Sequence, residues 1–196
     1  MIPDRIKLGV DFCPRSLQAD LACLDESDWI DNFVTRNFEG QSRILPLRGP
    51  QGAEHPIRMA YSDPTCTSFE DTPFLRKCSY FRSVIESFPF EVYSVRLMSL
   101  EPGSRIIEHS DYNLAFEDGA VRLHVPIRTN RQMEFFVNQS RVTMNEGECW
   151  YLRLSDPHSA YNGGNESRVH MVIDAPVVPA VARFLGVDSA NRLPDG

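Results

Sequence analysis

The stretch "AVRLHVPIRT", residues 120–129, decides how the chain is read. Val121, Leu123, Val125 and Ile127 fall on one face of an extended segment, and Arg122, His124 and Arg128 on the other. A period of two is the signature of a strand with two different faces. Outward from it, the same rhythm continues. "FEVYSVRLMSL" (90–100) has a strand composition and is closed by "PGS". "MEFFVNQSRVTM" (133–144) predicts a hairpin turning at Asn138-Gln139-Ser140, and "GECWYLRL" (147–154) a further strand. "SAYNGGNESRVHMVID" (159–174) predicts another hairpin, with Asn162-Gly163 as its turn. Short strands at this pace, preceded by helices, predict a mainly β fold with supporting helices, arranged as a double-sheet jelly roll.

The N-terminal part is mixed. Leu17, Leu21 and Leu24 have helical spacing, and Ser27 is placed to cap a second helix over 26–38 carrying Trp29, Ile30, Phe33 and Val34. Residues 49–74 are rich in Pro, Gly, Ser and Thr and read as long loops. Residues 72–88 read as a turn into a helix with Phe74, Leu75, Cys78, Phe81 and Ile85 along one side. The expected organisation is one domain over 1–196. It has helical and loop support over about 1–90, a core over about 90–175, and a short helix with a polar tail over 176–196.

The chain has 196 residues, 42% of them hydrophobic, enough for one sizeable core. The formal net charge of −7 repels phosphate backbones, so no nucleic-acid partner is expected. There is no apolar run of membrane-spanning length, and "MIPDRIKLGV" lacks the apolar centre of a signal peptide, so a cytoplasmic protein without membrane contact is expected. The five cysteines include no CxxC pair and read as reduced packing residues.

Chemistry centres on "GSRIIEHSDYNL", residues 103–114. In an extended segment His109 and Asp111 share a face, roughly 6–7 Å apart. His158, after "SDP", is the candidate third ligand of a facial triad of two histidines and a carboxylate, which leaves metal positions open for a cosubstrate and O₂. Ser110 should point away, and Tyr112 reads as a packing residue. Arg168 is placed to pair with a carboxylate reaching down from the metal. Arg122 and His124 together suggest a polar cavity, and His170 reads as a packed core histidine. Taken singly, each of these has a bland alternative: a polar turn at 109–111, a surface His158, a wet sheet face for Arg122 and His124.

Their order is more specific. HxD at 109–111, RxHxP at 122–126, GExWY at 147–151, PHxxxN at 157–162 and RVHxVID at 168–174 resemble the aspartyl/asparaginyl β-hydroxylase family of Fe(II)/2-oxoglutarate dioxygenases, in particular its small soluble bacterial branch, which includes proline cis-hydroxylases. The resemblance is densest over 94–174 and looser over about 20–93. It implies a double-stranded β-helix of the cupin-like kind, with His109, Asp111 and His158 as catalytic iron ligands. It further implies Arg168, Arg122 and His124 as 2-oxoglutarate contacts. The implied activity is hydroxylation of an unactivated C–H of an amino acid, of aspartyl/asparaginyl or prolyl type, free, peptidyl or carrier-bound, coupled to conversion of 2-oxoglutarate and O₂ to succinate and CO₂. Two departures stand out. Gln41-Ser42 lies where many relatives carry a Trp, and Met98, with Ser99 beside it, lies where some carry a cosubstrate-binding Ser. For a substrate carboxylate, Arg96, Arg105, Arg128 and Arg141 are unranked candidates. The competing readings are another metal-dependent enzyme of this fold, a lyase or isomerase on Zn²⁺ or Mn²⁺, and a non-catalytic binding module.

Overall fold

The computed structural model describes residues 2–60 and 66–187. The strands are β1 (Arg5–Asp11), β2 (Ile30–Asp31), β3 (Phe38–Glu39), β4 (Ser42–Pro50), β5 (Phe69–Asp71), β6 (Ser94–Leu100) and β7 (Arg105–His109). They continue with β8 (Ala120–Arg128), β9 (Met133–Val137), β10 (Ser140–Arg141), β11 (Glu148–Leu152), β12 (His158–Asn162) and β13 (Arg168–Pro176). The helices are α1 (Pro14–Leu21), α2 (Pro56–Ala60), α3 (Ser79–Glu86) and α4 (Pro179–Phe184). An eight-stranded sheet runs β1-β11-β8-β13-β6-β4-β2, with β5 on β4. It faces a five-stranded sheet in the order β10-β9-β12-β7-β3. All pairings are antiparallel, giving the mainly β, double-sheet jelly roll with supporting helices.

The alternation in 120–129 is resolved in an instructive way. The apolar row of β8, with Val169, Met171, Ile173 and Ala175 of β13, packs outward into one core with Leu17 and Leu21 of α1, Phe81, Val84 and Ile85 of α3, and Val181 of α4. The polar row faces the second sheet. There it borders a smaller core containing Leu100, Phe135, Val137, Leu152 and Leu154. Helices on the outer face are therefore what allow a polar inner face: the sheet's burial is satisfied on one side, so the other can carry chemistry.

Several local expectations hold. The 133–144 hairpin turns at Asn138 (φ 49°) and Gln139 (φ 60°), both left-handed as a tight two-residue turn requires. Residues 72–88 form a turn over 73–77 followed by α3. All five cysteines are free thiols, and burial first of all pushes the Cys78 and Cys149 thiols up to about 12, which makes them packing groups. Among the described residues no helix is long and apolar enough to cross a membrane.

Others are corrected. Residues 26–38 do not form a helix. Only two short 3₁₀ turns, Glu26–Asp28 and Thr35–Asn37, form there, and the first is closed by Asp25 N–H donating to the Asp28 carboxylate (3.1 Å), so Ser27 is not the cap. Ile30 and Asp31 then pair with β4, and the Asn32 side chain accepts from Val34 N–H (3.0 Å), a local bond that competes with helix. The 49–74 region is not all loop, since it contains α2 and β5. Residues 159–174 are not a hairpin. β12 pairs with β7 and β9, and β13 with β6 and β8, so 163–167 crosses between sheets. Buried Asn162 pins this crossover by donating to the carbonyls of Leu100 (2.8 Å) and Glu166 (2.8 Å). The expected polar tail over 188–196 lies outside the described residues.

Candidate functional site

β7 ends at His109, which sits in register with His158 at the start of β12. Asp111 lies beyond the strand, held by its N–H to the Leu154 carbonyl (2.8 Å). The turn, not an extended spacing, brings His109 Nε2 to 3.4 Å from Asp111 Oδ1. One donor atom from each of His109, Asp111 and His158 lies within 4.8 Å of the others. The two rings are 4.4 Å apart between centroids. Each histidine places Nδ1 against a backbone carbonyl, Ile107 O at 2.7 Å for His109 and Asp156 O at 3.0 Å for His158. A carbonyl only accepts, so both Nδ1 atoms carry the proton and both Nε2 lone pairs face the cluster. Ser110 is exposed, in line with its expected direction. Tyr112 is not a packing residue: it is 91% exposed, in a turn whose Asn113 has φ 57°.

A charge ladder stands behind Asp111. Arg122 donates to Asp111 Oδ2 (2.8 Å) and forks onto Asp174 (Nε to Oδ1 2.6 Å, Nη2 to Oδ2 2.9 Å). Arg96 contacts Asp174 Oδ2 at 3.1 Å. Burial pushes the Asp174 carboxyl up, but the two guanidiniums outweigh it and hold the group well below the usual carboxylate range. For Asp111, burial likewise opposes ionisation, yet the His109 hydrogen bond and the Arg122 charge bring its pKa to about 2. Arg122 thus takes one Asp111 oxygen, and the other faces His109 Nε2. Only the protonated His109 ring has an Nε2–H to donate to Asp111, and that bond raises the His109 pKa, while burial lowers that of His158.

Arg168, on the inner face of β13, is in the opposite condition. It is 3% exposed, lines the same cavity, and has no side-chain partner among the described residues, its Nε included. Burial alone pulls its pKa down to about 10. His124 beside it is buried, with an unpartnered Nε2. Burial first, then the Arg122 and Arg168 charges, push its pKa well below the ordinary value.

The wall of the cavity, about 270 Å³, also includes Asn32, Phe33, Val34, Asn37, Phe38 and Ile44. The sequence reading missed these as lining because it placed most of them on a helix. Asp174 also went without a role, although it closes the RVHxVID motif. Of the four candidate substrate cations only Arg96 reaches the cavity. Arg105 lies over Tyr161, Arg128 donates to Ser167, and Arg141 donates to the Met133 carbonyl. At the departures noted above, Met98 lines the cavity, Ser99 donates outward to Glu101 (3.0 Å), and buried Ser42 donates to the Ser99 carbonyl (2.9 Å).

The family model for aspartyl/asparaginyl beta-hydroxylase matches residues 63–176, more than half of the chain. The chain belongs to this family. L-proline cis-4-hydroxylase of Rhizobium meliloti (strain 1021) is 30% identical over 181 residues, covering 90% of this chain, and the chain spans 62% of that relative's length. Among solved structures, the non-heme alpha-ketoglutarate-dependent epimerase SnoN from nogalamycin biosynthesis aligns with a TM-score of 0.54 at 10% identity, covering 87% of this chain and 77% of its own. A viral collagen prolyl hydroxylase from Paramecium Bursaria Chlorella virus-1, solved with 2-oxoglutarate, aligns at 0.51 and 8% identity, covering 90% and 97%. At such identities the two structures speak to the shared fold alone.

Proposed function

We propose that the protein is an Fe(II)- and 2-oxoglutarate-dependent dioxygenase that hydroxylates an amino acid. The observation that carries this reading is Arg168, a buried guanidinium with no protein partner among the described residues, in the same cavity as the His109, Asp111 and His158 cluster. An unpaired buried cation is costly, so the site fits an anion reaching in beside a metal. The donor set fits iron: two neutral imidazole Nε2 atoms and one carboxylate oxygen.

In this reading His109, Asp111 and His158 hold Fe(II). Arg122 keeps Asp111 ionised and occupies its second oxygen. Arg168 pairs with the far carboxylate of 2-oxoglutarate, with His124 beside it. When bound, iron, 2-oxoglutarate and O₂ together supply the oxidation, one oxygen atom going to the substrate carbon and one to succinate as CO₂ leaves. Phe33, Val34, Phe38 and Ile44 exclude water and receive the apolar part of the substrate. The relative's name makes free L-proline the first substrate to try. A lyase or isomerase on the same metal ligands leaves Arg168 unexplained. The described residues act as one unit, since β1 and β4 complete the same sheet as β8 and β13.

Purified protein with Fe(II) and 2-oxoglutarate under anaerobic conditions should develop a weak visible charge-transfer band. Admitting air in an amino-acid screen should release succinate, with a mass gain of one oxygen on the substrate. No band, together with no succinate from any amino acid or peptide, would remove the proposal.

A further inference from the structure

His124 and His170 face each other Nδ1 to Nδ1 at 3.3 Å, both buried. They lie on neighbouring strands β8 and β13. Burial, with Arg168 close by, pushes both far below the ordinary histidine pKa, so both rings are neutral and each carries one N–H. Only one hydrogen fits between two facing nitrogens. If His124 supplies it, His124 Nε2 is a bare lone pair aimed into the cavity, unable to donate to an anion. If His170 supplies it, the His124 proton lies on Nε2 and becomes a donor. That Nε2 is buried and has no protein partner among the described residues. The pocket already presents an unpartnered guanidinium, and an anion held there needs donors.

We infer that His170 is a positioning residue: by donating Nδ1–H to His124 Nδ1 it fixes His124 as the Nε2–H tautomer, a second donor for the cosubstrate carboxylate. This rests on the 2-oxoglutarate reading above. The contrast with His109 and His158 is chemical. Carbonyls at their Nδ1 atoms free Nε2 as a lone pair for a metal, whereas an imidazole donor at the Nδ1 of His124 does the reverse. His170 also borders a second cavity of about 550 Å³, shared with Arg131, Arg141 and Asn145.

Two measurements test this, with redox-inert Zn(II) in place of iron. In long-range ¹H–¹⁵N spectra of ¹⁵N-histidine-labelled protein saturated with Zn(II) and 2-oxoglutarate, His124 should carry its proton on Nε2. A proton on Nδ1 overturns the inference, and this spectrum decides alone if the variants fail to fold. By calorimetry, His170→Phe should weaken 2-oxoglutarate binding by about 10- to 100-fold, the worth of a hydrogen bond to a charged group. Zn(II) affinity should stay unchanged. His170→Asn, whose amide N–H lies near the lost Nδ1–H, should restore most of the loss. Parallel loss of Zn(II) affinity, or no rescue by Asn, marks a merely structural role and overturns the inference. Unchanged 2-oxoglutarate affinity in His170→Phe, with loss in Arg168→Leu, overturns it while the proposed function stands. A wild-type protein that binds no 2-oxoglutarate overturns both.

Discussion

Two groups of buried polar side chains share one cavity and differ in a single respect. Arg122, Asp174, Arg96 and Asp111 satisfy one another through contacts of 2.6–3.1 Å. Arg168 and His124, on the same two strands, leave Nε and Nε2 without partners. Arg43 and Arg153 also each have an unpartnered Nε, but other nitrogens of both are in ion pairs. Arg168 has none. The difference separates scaffolding from reception: a closed charge network holds its members still, while an open one is completed by a ligand.

The hardest way to break the contrast is Arg122→Leu. It leaves Asp111 without its guanidinium and Asp174 with Arg96 as its one remaining cation, and should cost about 3–5 kcal/mol, read as a large fall in the urea midpoint. Arg168→Leu should behave oppositely. 2-Oxoglutarate affinity should fall by about 2–5 kcal/mol, while the stability of the metal-free protein stays level or rises, because an unpaired buried charge is removed. A marked loss of stability there would mean that Arg168 belongs to the scaffold. Asp174→Asn touches no metal ligand, yet should weaken Fe(II) or Zn(II) binding about 10- to 100-fold by loosening Arg122 and so Asp111. Acid sharpens the same point. The folded-state pKa of Asp174 is depressed, so its stabilisation is present above its unfolded value of about 4 and is lost as pH falls through the lower folded value. In Asp174→Asn that part of the acid limb should be missing from stability-versus-pH curves. The smallest effect is expected from Tyr112→Ala, within about 0.5 kcal/mol of wild type by thermal melting, since the ring is solvated.

Much of the fold was legible because burial is periodic. Residues 120–129 announce a strand with one apolar face, and 133–144 announce its hairpin through Asn138 and Gln139. The site was legible where a motif lies within one segment, as HxD and RxHxP do. What was not legible depended on partners distant in sequence. The apolar residues of 26–38 fit helical spacing, yet the open edge of β4 claimed Ile30 and Asp31, Trp29 joined the larger core, and Phe33 and Val34 became cavity wall. Asn162-Gly163 carries a hairpin signal, yet the neighbouring strands found better pairings in different sheets. Tyr112 reads as packing only if the strand continues, and it stops at His109.

The sequence by itself determined the mainly β architecture, the polar row opposite an apolar one, and which residues are candidates for a metal site, because side-chain type and period are local properties. Only the tertiary structure decided that the polar row faces inward, that Arg122 is engaged by Asp111 and Asp174 while Arg168 is not, and that His170 meets His124. Those outcomes depend on which groups lie within hydrogen-bond distance across strands, and sequence spacing does not encode that distance.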